Sequence, residues 1–544
     1  MRRLYIALIL ALAAQAAAAQ TIAPDRLKAH VETLASDAFE GRSPATPGET
    51  RTVDYIVSQF AAAGLQPGGA LKDGSRSWTQ DVPLAQFDIS GPVTVTVAAS
   101  GNLTWEQGRE VALRASQLTT AVDIRDAPVV FVGYGVHAPE RNWDDFKGVD
   151  LKGKIALVLV NDPDFETGQG DFGGKAMTWY GRWPYKYEEA ARQGALGLLV
   201  IHETAPASYG WETVKNSNTN TIIDVRRERP QEAHPLLEGW IQRDAAAELM
   251  RRSGHDFEAL KRAAQSRDFR PVPLNASATI RFPVKAQEIV SRNVIGLVPG
   301  KRRPDEVVLY TGHWDHLGVA LPDAAGDAIY NGAVDNATGI AALIEIARSF
   351  SAGPAPARSV AFLALTAEEK GLIGSEYYAS DPVYPLAKTV GLINMDALKP
   401  VGPARDFTTS GNAPVTLQDE LVAIASKRGR SYSPDPRPEA GSFFRSDHFP
   451  LAKRGVPAIS FGSGQDLVDG GVAAGAAWSK AYTAERYHQP SDELTPDWRF
   501  DGIAGDAELL YALGRRLADS DIWPEWKAGS EFKAAREASR AERR

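Results

Sequence analysis

Val307-Val308-Leu309-Tyr310 runs through Thr311 into Gly312-His313-Trp314-Asp315. Four consecutive apolar residues, two of them β-branched, have the length and composition of a buried strand. Residues able to do chemistry begin where that strand stops. The pattern recurs downstream: the apolar run 360–365 leads into Thr366-Ala367-Glu368-Glu369, and Leu392-Ile393 leads into Asn394-Met395-Asp396. Helical periodicity occupies 337–350, 417–427 and 502–517, and 456–461 is a further apolar run of strand length. Strands alternating with helices in this way predict an α/β fold, a doubly wound mixed sheet with helices on both faces.

In open sheets of that kind, ligands bind outside the carboxyl ends of the strands. His313, Glu368, Glu369 and Asp396 fall at such ends. Gly332-Ala333-Val334-Asp335-Asn336 precedes the helix at 337–350, and Tyr487-His488 lies near the end of the chain. A single Asp after a strand is usually a helix cap, but caps do not account for this many sequence-distant acidic and histidine residues on one rim. Two histidines and carboxylates from three separate segments supply the nitrogen and oxygen ligands that suit Zn²⁺. They exceed what one four-coordinate ion needs. A bridging carboxylate would let two ions ~3.5–4 Å apart use them all, and the cations would relieve the repulsion among the clustered carboxylates.

The series Gly312-His313-Trp314-Asp315, Gly332-Ala333-Val334-Asp335-Asn336-Ala337-Thr338-Gly339, Glu368-Glu369-Lys370-Gly371-Leu372-Ile373-Gly374-Ser375, Asn394-Met395-Asp396 and Tyr487-His488 resembles the co-catalytic zinc aminopeptidases. That family includes aminopeptidase Y and glutamate carboxypeptidase II. The resemblance implies two zinc ions per chain and peptide substrates. His313 and Asp396 would hold one ion, Glu369 and His488 the other, and Asp335 would bridge them. Glu368 would be the base that takes a proton from the attacking water. Asp315 would orient His313, as carboxylates behind metal-bound histidines do, and Tyr487 would stabilise the oxyanion. The leading expectation is an aminopeptidase. A carboxypeptidase or dipeptidase of the same fold is the alternative, followed by a metal-free receptor or scaffold relative.

Other candidates receive plainer readings. His316 stands close to the ligand series but is surplus to five ligands. Ser446-Asp447-His448 lacks a nucleophile elbow and is expected to cap a helix and line the pocket. His30, His137, His202, His234 and His255 are expected to be structural or exposed. Trp179, Tyr180, Trp183, Tyr185 and Tyr187 are expected to pack, with a substrate platform as the other reading.

The rest of the chain is divided by texture. Arg2 and Arg3, an apolar run 4–14 and a small-residue stretch ending Ala17-Ala18-Ala19 read as a cleaved secretory signal, 1–19. The run is shorter than a membrane span needs, so a periplasmic or secreted protein without membrane attachment is expected. Residues 20–114 are assigned to the N-terminal part of the peptidase domain and 115–283 to an inserted, β-rich domain resembling a protease-associated domain. The main peptidase domain is placed at 284–519 and a charged tail at 520–544. The absence of cysteine excludes disulfides and thiolate ligands, and the net charge of −8 gives no electrostatic reason to bind nucleic acid.

Overall fold

The computed structural model describes residues 22–320, 322–323, 325–411 and 414–543, so the signal expected at 1–19 lies outside the described residues. The chain forms two compact units. One comprises residues up to Val82, Val290–Pro436 and Arg445 onward, and the other comprises Pro83–Ile289 with Arg437–Phe444.

In the first unit, strands Arg303–His313, Arg358–Leu365, Thr389–Met395 and Ala458–Ser463 are parallel neighbours. Spatially, Arg303–His313 lies between Arg358–Leu365 and Thr389–Met395. The chain therefore moves one strand to one side of Arg303–His313 and then returns to the other. Because crossovers in parallel sheets are right-handed, this reversal sends the connecting helices to opposite faces and opens a crevice at the carboxyl end of Arg303–His313. Residues 294–298 add an antiparallel strand beside Arg358–Leu365, and Asp406–Thr409 adds another beside Ala458–Ser463. The parallel strands are buried on both faces, which is why they read as continuous rather than alternating apolar runs. Helices Gly339–Ala352 and Asp501–Asp519 pack on these strands. The expected doubly wound α/β architecture is the one observed.

The second unit is wider than the 115–283 expected for the insertion, and it is more than a β-rich module. Ile155–Leu159, Gly197–His202 and Leu237–Gln242 form a parallel core, with helix Trp183–Arg192 in the first connection and helix Trp211–Asn218 in the second. Side chains of alternating parity bury into two separate apolar clusters, so both sheet faces are covered. Residues before 115 join because Val111–Arg114 pairs antiparallel with 238–241, and Thr94–Ala99 with 277–281. These pairings span more than a hundred residues, beyond what local periodicity registers. Tyr185 and Tyr187 are buried here as packing residues, and Trp179 packs edge-on against Tyr185.

The end of the chain also departs from expectation. Residues 520–544 are charged in sequence, yet Trp526, Phe532 and Arg536 are buried. Trp526 bridges to Val415, and the Arg536 guanidinium donates to the Thr389 carbonyl. Three aromatic or long side chains at irregular spacing carry this docking, and the surrounding Ala, Lys and Glu conceal it from a composition reading. Among the described residues no helix is long and apolar enough to cross a membrane.

Candidate metal centre

Each proposed ligand sits where regular structure ends. His313 closes strand Arg303–His313, Glu368 and Glu369 follow Arg358–Leu365, and Asp396 follows Thr389–Met395. Asp335 lies in the irregular turn Ala333–Thr338, ahead of helix Gly339–Ala352, and its peptide bond to Asn336 is cis. His488 follows helix Gly471–Glu485. Ala367, Ala397 and His488 hold φ values of 52°, 54° and 59°. Such left-handed backbone is uncommon for residues with a Cβ and collects at functional sites.

The side chains converge. His313 Nε2 lies 3.2 Å from Asp335 Oδ1 and 3.3 Å from Asp396 Oδ1. His488 Nε2 lies 3.4 Å from Asp335 Oδ2 and 3.0 Å from Glu369 Oε2. The two oxygens of Asp335 thus face two different histidines. His313, Asp335 and Glu369 offer ligand atoms within 4.8 Å of one another, as do His313, Glu368 and Asp396. All five predicted ligands are brought together. Those two groups share His313, and their imidazole nitrogen and carboxylate oxygens are the donor types that suit zinc.

The clustered carboxylates draw positive charge into the site. Burial alone would lower His313, but Glu368 and Asp396 override it and hold the imidazole protonated well above its usual range. His488 is raised likewise, burial being overcome by Glu369. Burial pushes the Glu368 carboxyl well up; nearby His313 opposes this, and Asp396 and Glu369 reinforce it. A raised carboxyl holds a proton more firmly than an ordinary glutamate does, the direction a general base needs.

Asp315 does something other than orient His313 through its carboxylate. Its side chain stays 3.8 Å from His313 Nδ1, which instead lies 3.1 Å from the Asp315 backbone carbonyl. The carboxylate accepts from the backbone N–H groups of Glu368, at 3.0 Å, and Glu369, at 3.4 Å. It therefore fixes the turn that presents both glutamates. Burial raises Asp315 to about 7, with His313 opposing.

Ser446 shows why its motif is no hydrolase fragment: its hydroxyl donates to Asp396 Oδ2 at 2.6 Å and accepts from Asn394 Nδ2 at 2.7 Å. Asp447 accepts from Ser375, and neither Ser446 nor Asp447 caps helix His448–Lys453 through its side chain, contrary to the capping expectation.

Three further residues take roles at the site that the three-dimensional arrangement assigns. Asp492 accepts from the N–H groups of Val334 and Asp335, at 3.2 and 3.1 Å. It supports the Asp335 turn much as Asp315 supports the glutamates. Asn336 donates to the Met395 carbonyl and accepts from Gly339 and Ala397 N–H, tying the Asp335 turn to the segment carrying Asp396. His316 Nδ1 lies 2.6 Å from Glu369 Oε1. A Cβ on Gly332 would stand 2.5 Å from the His316 ring, so glycine is what leaves room for it. The adjacency of Asn336 to Asp335, and of Asp492 to the Tyr487-His488 stretch, was the only sequence signal for these roles.

The matched family fits this geometry. A model described as "Peptidase family M28" matches residues 293–511, the stretch containing every proposed ligand. Residues 293–511 belong to peptidase family M28. Among curated proteins, the chain is 34% identical over 167 residues to a "Probable zinc metalloprotease" of Pyricularia oryzae, covering 29% of this chain and 32% of that protein. It is 36% identical over 347 residues to "Aminopeptidase NAALADL1" of Rattus norvegicus, covering 54% of this chain and 42% of that protein. The chain thus spans less than half the length of these relatives. Among solved structures, "Aminopeptidase from Aneurinibacillus sp. strain AM-1" shares the fold, with a TM-score of 0.54 at 19% identity over 93% of this chain and 96% of that one.

Tyr487 is stacked on His488, with ring centroids 3.9 Å apart and planes 25° apart. Burial raises its hydroxyl above the usual range. A phenol aimed at a developing oxyanion matters in the transition state and little before it. Tyr487→Phe keeps the stack and is expected to lower kcat by ~10²–10³, as loss of one such donor does, with KM nearly unchanged. Zinc analysis on the same variant separates this from simple support of His488. Full zinc with normal kcat would end the oxyanion role.

Proposed function

We propose that this chain is an exported two-zinc exopeptidase that removes N-terminal residues from peptides. The observation that carries the reading is the placement of Asp335 between His313 and His488, one carboxylate oxygen toward each. His313 and Asp396 would hold one zinc, Glu369 and His488 the other, with Asp335 shared. Zinc bound there would polarise the scissile carbonyl and make water a nucleophile at neutral pH.

The chain's own residues do the rest. Glu368 takes a proton from the attacking water as its oxygen bonds to the carbonyl carbon. The same carboxyl returns that proton to the leaving amine as the C–N bond breaks, so no external acid is required. The Tyr487 hydroxyl donates to the oxyanion between these events. Asp315 and Asp492 hold the two turns in register through backbone N–H groups. Export is supported by the charged, apolar and small-residue regions of 1–19, and is tested by sequencing the N-terminus of protein recovered outside the cytoplasm.

A second reading has its own support, because the chain is also 35% identical over 328 residues to a "Glutamate carboxypeptidase 2 homolog" of Caenorhabditis briggsae. The metal centre cuts the bond, while the surrounding pocket chooses the terminus. A panel of free, N-blocked and C-blocked dipeptides decides between them. An aminopeptidase cleaves the C-blocked member and spares the N-blocked one, and a carboxypeptidase does the reverse. A dipeptidase accepts only the free form. A metal-free scaffold cleaves none and holds no zinc.

A further inference from the structure

Three consecutive residues far from the ligand series, Glu40, Gly41 and Arg42, hold φ values of 48°, 62° and 53°. Of the three, only glycine adopts such backbone freely, and an observed run of this kind marks a place where surroundings over-determine the chain. The surroundings are close. A Cβ on Gly41 would lie 2.6 Å from the carbonyl oxygens of both Gly318 and Tyr330. The turn is wedged against the segments that follow His313 and precede Asp335.

What the turn delivers is the Arg42 guanidinium, which is 1% exposed. Nε donates to the Trp314 carbonyl at 2.8 Å, and Nη1 donates to Leu34 at 2.7 Å and Asn331 at 2.6 Å. Nη2 donates to the Gly332 carbonyl at 2.9 Å. Trp314 follows His313 directly, and Asn331 and Gly332 open the turn that carries Asp335. One rigid cation therefore joins the segment bearing one predicted ligand to the segment bearing the predicted bridge. Burial lowers the guanidinium to about 10, and Asp315, Asp492, Asp335 and Glu369 act against that fall. Its charge and theirs are mutually stabilising.

We propose that Arg42 is a positioning residue of the metal centre, its guanidinium fixing the spacing between the His313 and Asp335 segments and offsetting the buried carboxylates around them. The inference rests on the two-zinc reading above. A planar fork with five donors can span both segments at once, whereas a lysine ammonium is a point charge with three donors and keeps the charge without the span.

The test compares full-length Arg42→Lys and Arg42→Met with Arg358→Lys. Arg358 is a useful control because it is also fully buried and braces the Leu517 and Ile522 carbonyls, away from the ligand series. Zinc affinity is measured by chelator competition, and kcat and KM are measured at limiting and saturating zinc. Arg42→Lys is expected to bind zinc ~10–100-fold more weakly, the range seen when residues supporting ligands are lost. KM should not change, and kcat should recover at saturating zinc. Arg358→Lys should lose thermal stability yet keep wild-type zinc affinity. The zinc-induced rise in unfolding temperature gives the same answer for a variant that folds poorly, shrinking if Arg42 positions the ligands. Wild-type zinc affinity in Arg42→Lys, or an unchanged zinc-induced rise in both Arg42 variants, overturns the inference. A wild-type chain that binds no zinc would instead overturn the two-zinc reading on which it rests.

Discussion

Glu368→Gln is expected to keep both zinc ions while turnover falls by more than the ~10²–10⁴ usual for losing a general base. The larger loss is expected because the same carboxyl serves twice, activating water and then protonating the amine. Glutamine preserves shape and packing, and the Glu368 N–H still donates to Asp315. Only proton acceptance is removed. The geometry also sets up a sharp alternative. Glu368 Oε2 lies 4.0 Å from His313 Nε2, and Glu368 groups with His313 and Asp396 closely enough to be a ligand itself. If Glu368 were a ligand, glutamine would lower zinc content. Measuring bound zinc and kcat on one preparation separates the roles: two zinc ions with crippled turnover fit the base, one zinc fits a ligand, and near-normal turnover fits neither.

Asp335→Ala should empty both sites together. One carboxylate serves both histidines, so its loss removes a ligand from each group and uncovers the repulsion among Glu369, Asp396 and Glu368. Zinc per chain after dialysis is expected to fall from about two toward zero. Glu369→Ala should lower occupancy at one site only. Retention of one tightly held zinc in Asp335→Ala would show that Asp335 does not bridge. Removing zinc from the wild-type chain with a chelator should abolish activity and leave the sheet intact, because the parallel strands are packed by apolar side chains.

The legible and illegible parts of this molecule divide by the range of the interaction. Strand runs such as 307–310 and 360–365, and helices such as 417–427, were readable because burial on both faces or on one stripe leaves a local period. Helix Gly471–Glu485 was not. Its residues are largely alanine and glycine, and only Gly475 is buried, so no apolar stripe distinguishes it. The second unit's true extent was hidden for a different reason, since strand pairing leaves no mark in either partner's own sequence.

The candidate site shows the same division. His313, Glu368, Glu369 and Asp396 stood out as acidic and histidine residues gathered at strand ends, and Asp335, Tyr487 and His488 through motifs that resemble those of the co-catalytic zinc aminopeptidases. Their supports use ordinary groups. Ser446, Asn336 and Asp492 act through hydroxyl, amide and carboxylate contacts that many polar residues could make, and adjacency to the ligands or a pocket-lining reading is all that marks them in sequence.

By itself, the sequence determined the fold class, the order of ligand-bearing strand ends and the donor chemistry, because these follow from periodicity and residue type. Only the tertiary structure decided which oxygen of Asp335 faces which histidine, that Asp315 serves the glutamates rather than His313, and that Arg42 braces two ligand segments. Those outcomes depend on side-chain direction and on approaches between residues as far apart as Arg42 and Gly332, and hydrogen-bond geometry is set only when the packed sheet brings such groups within about 3 Å.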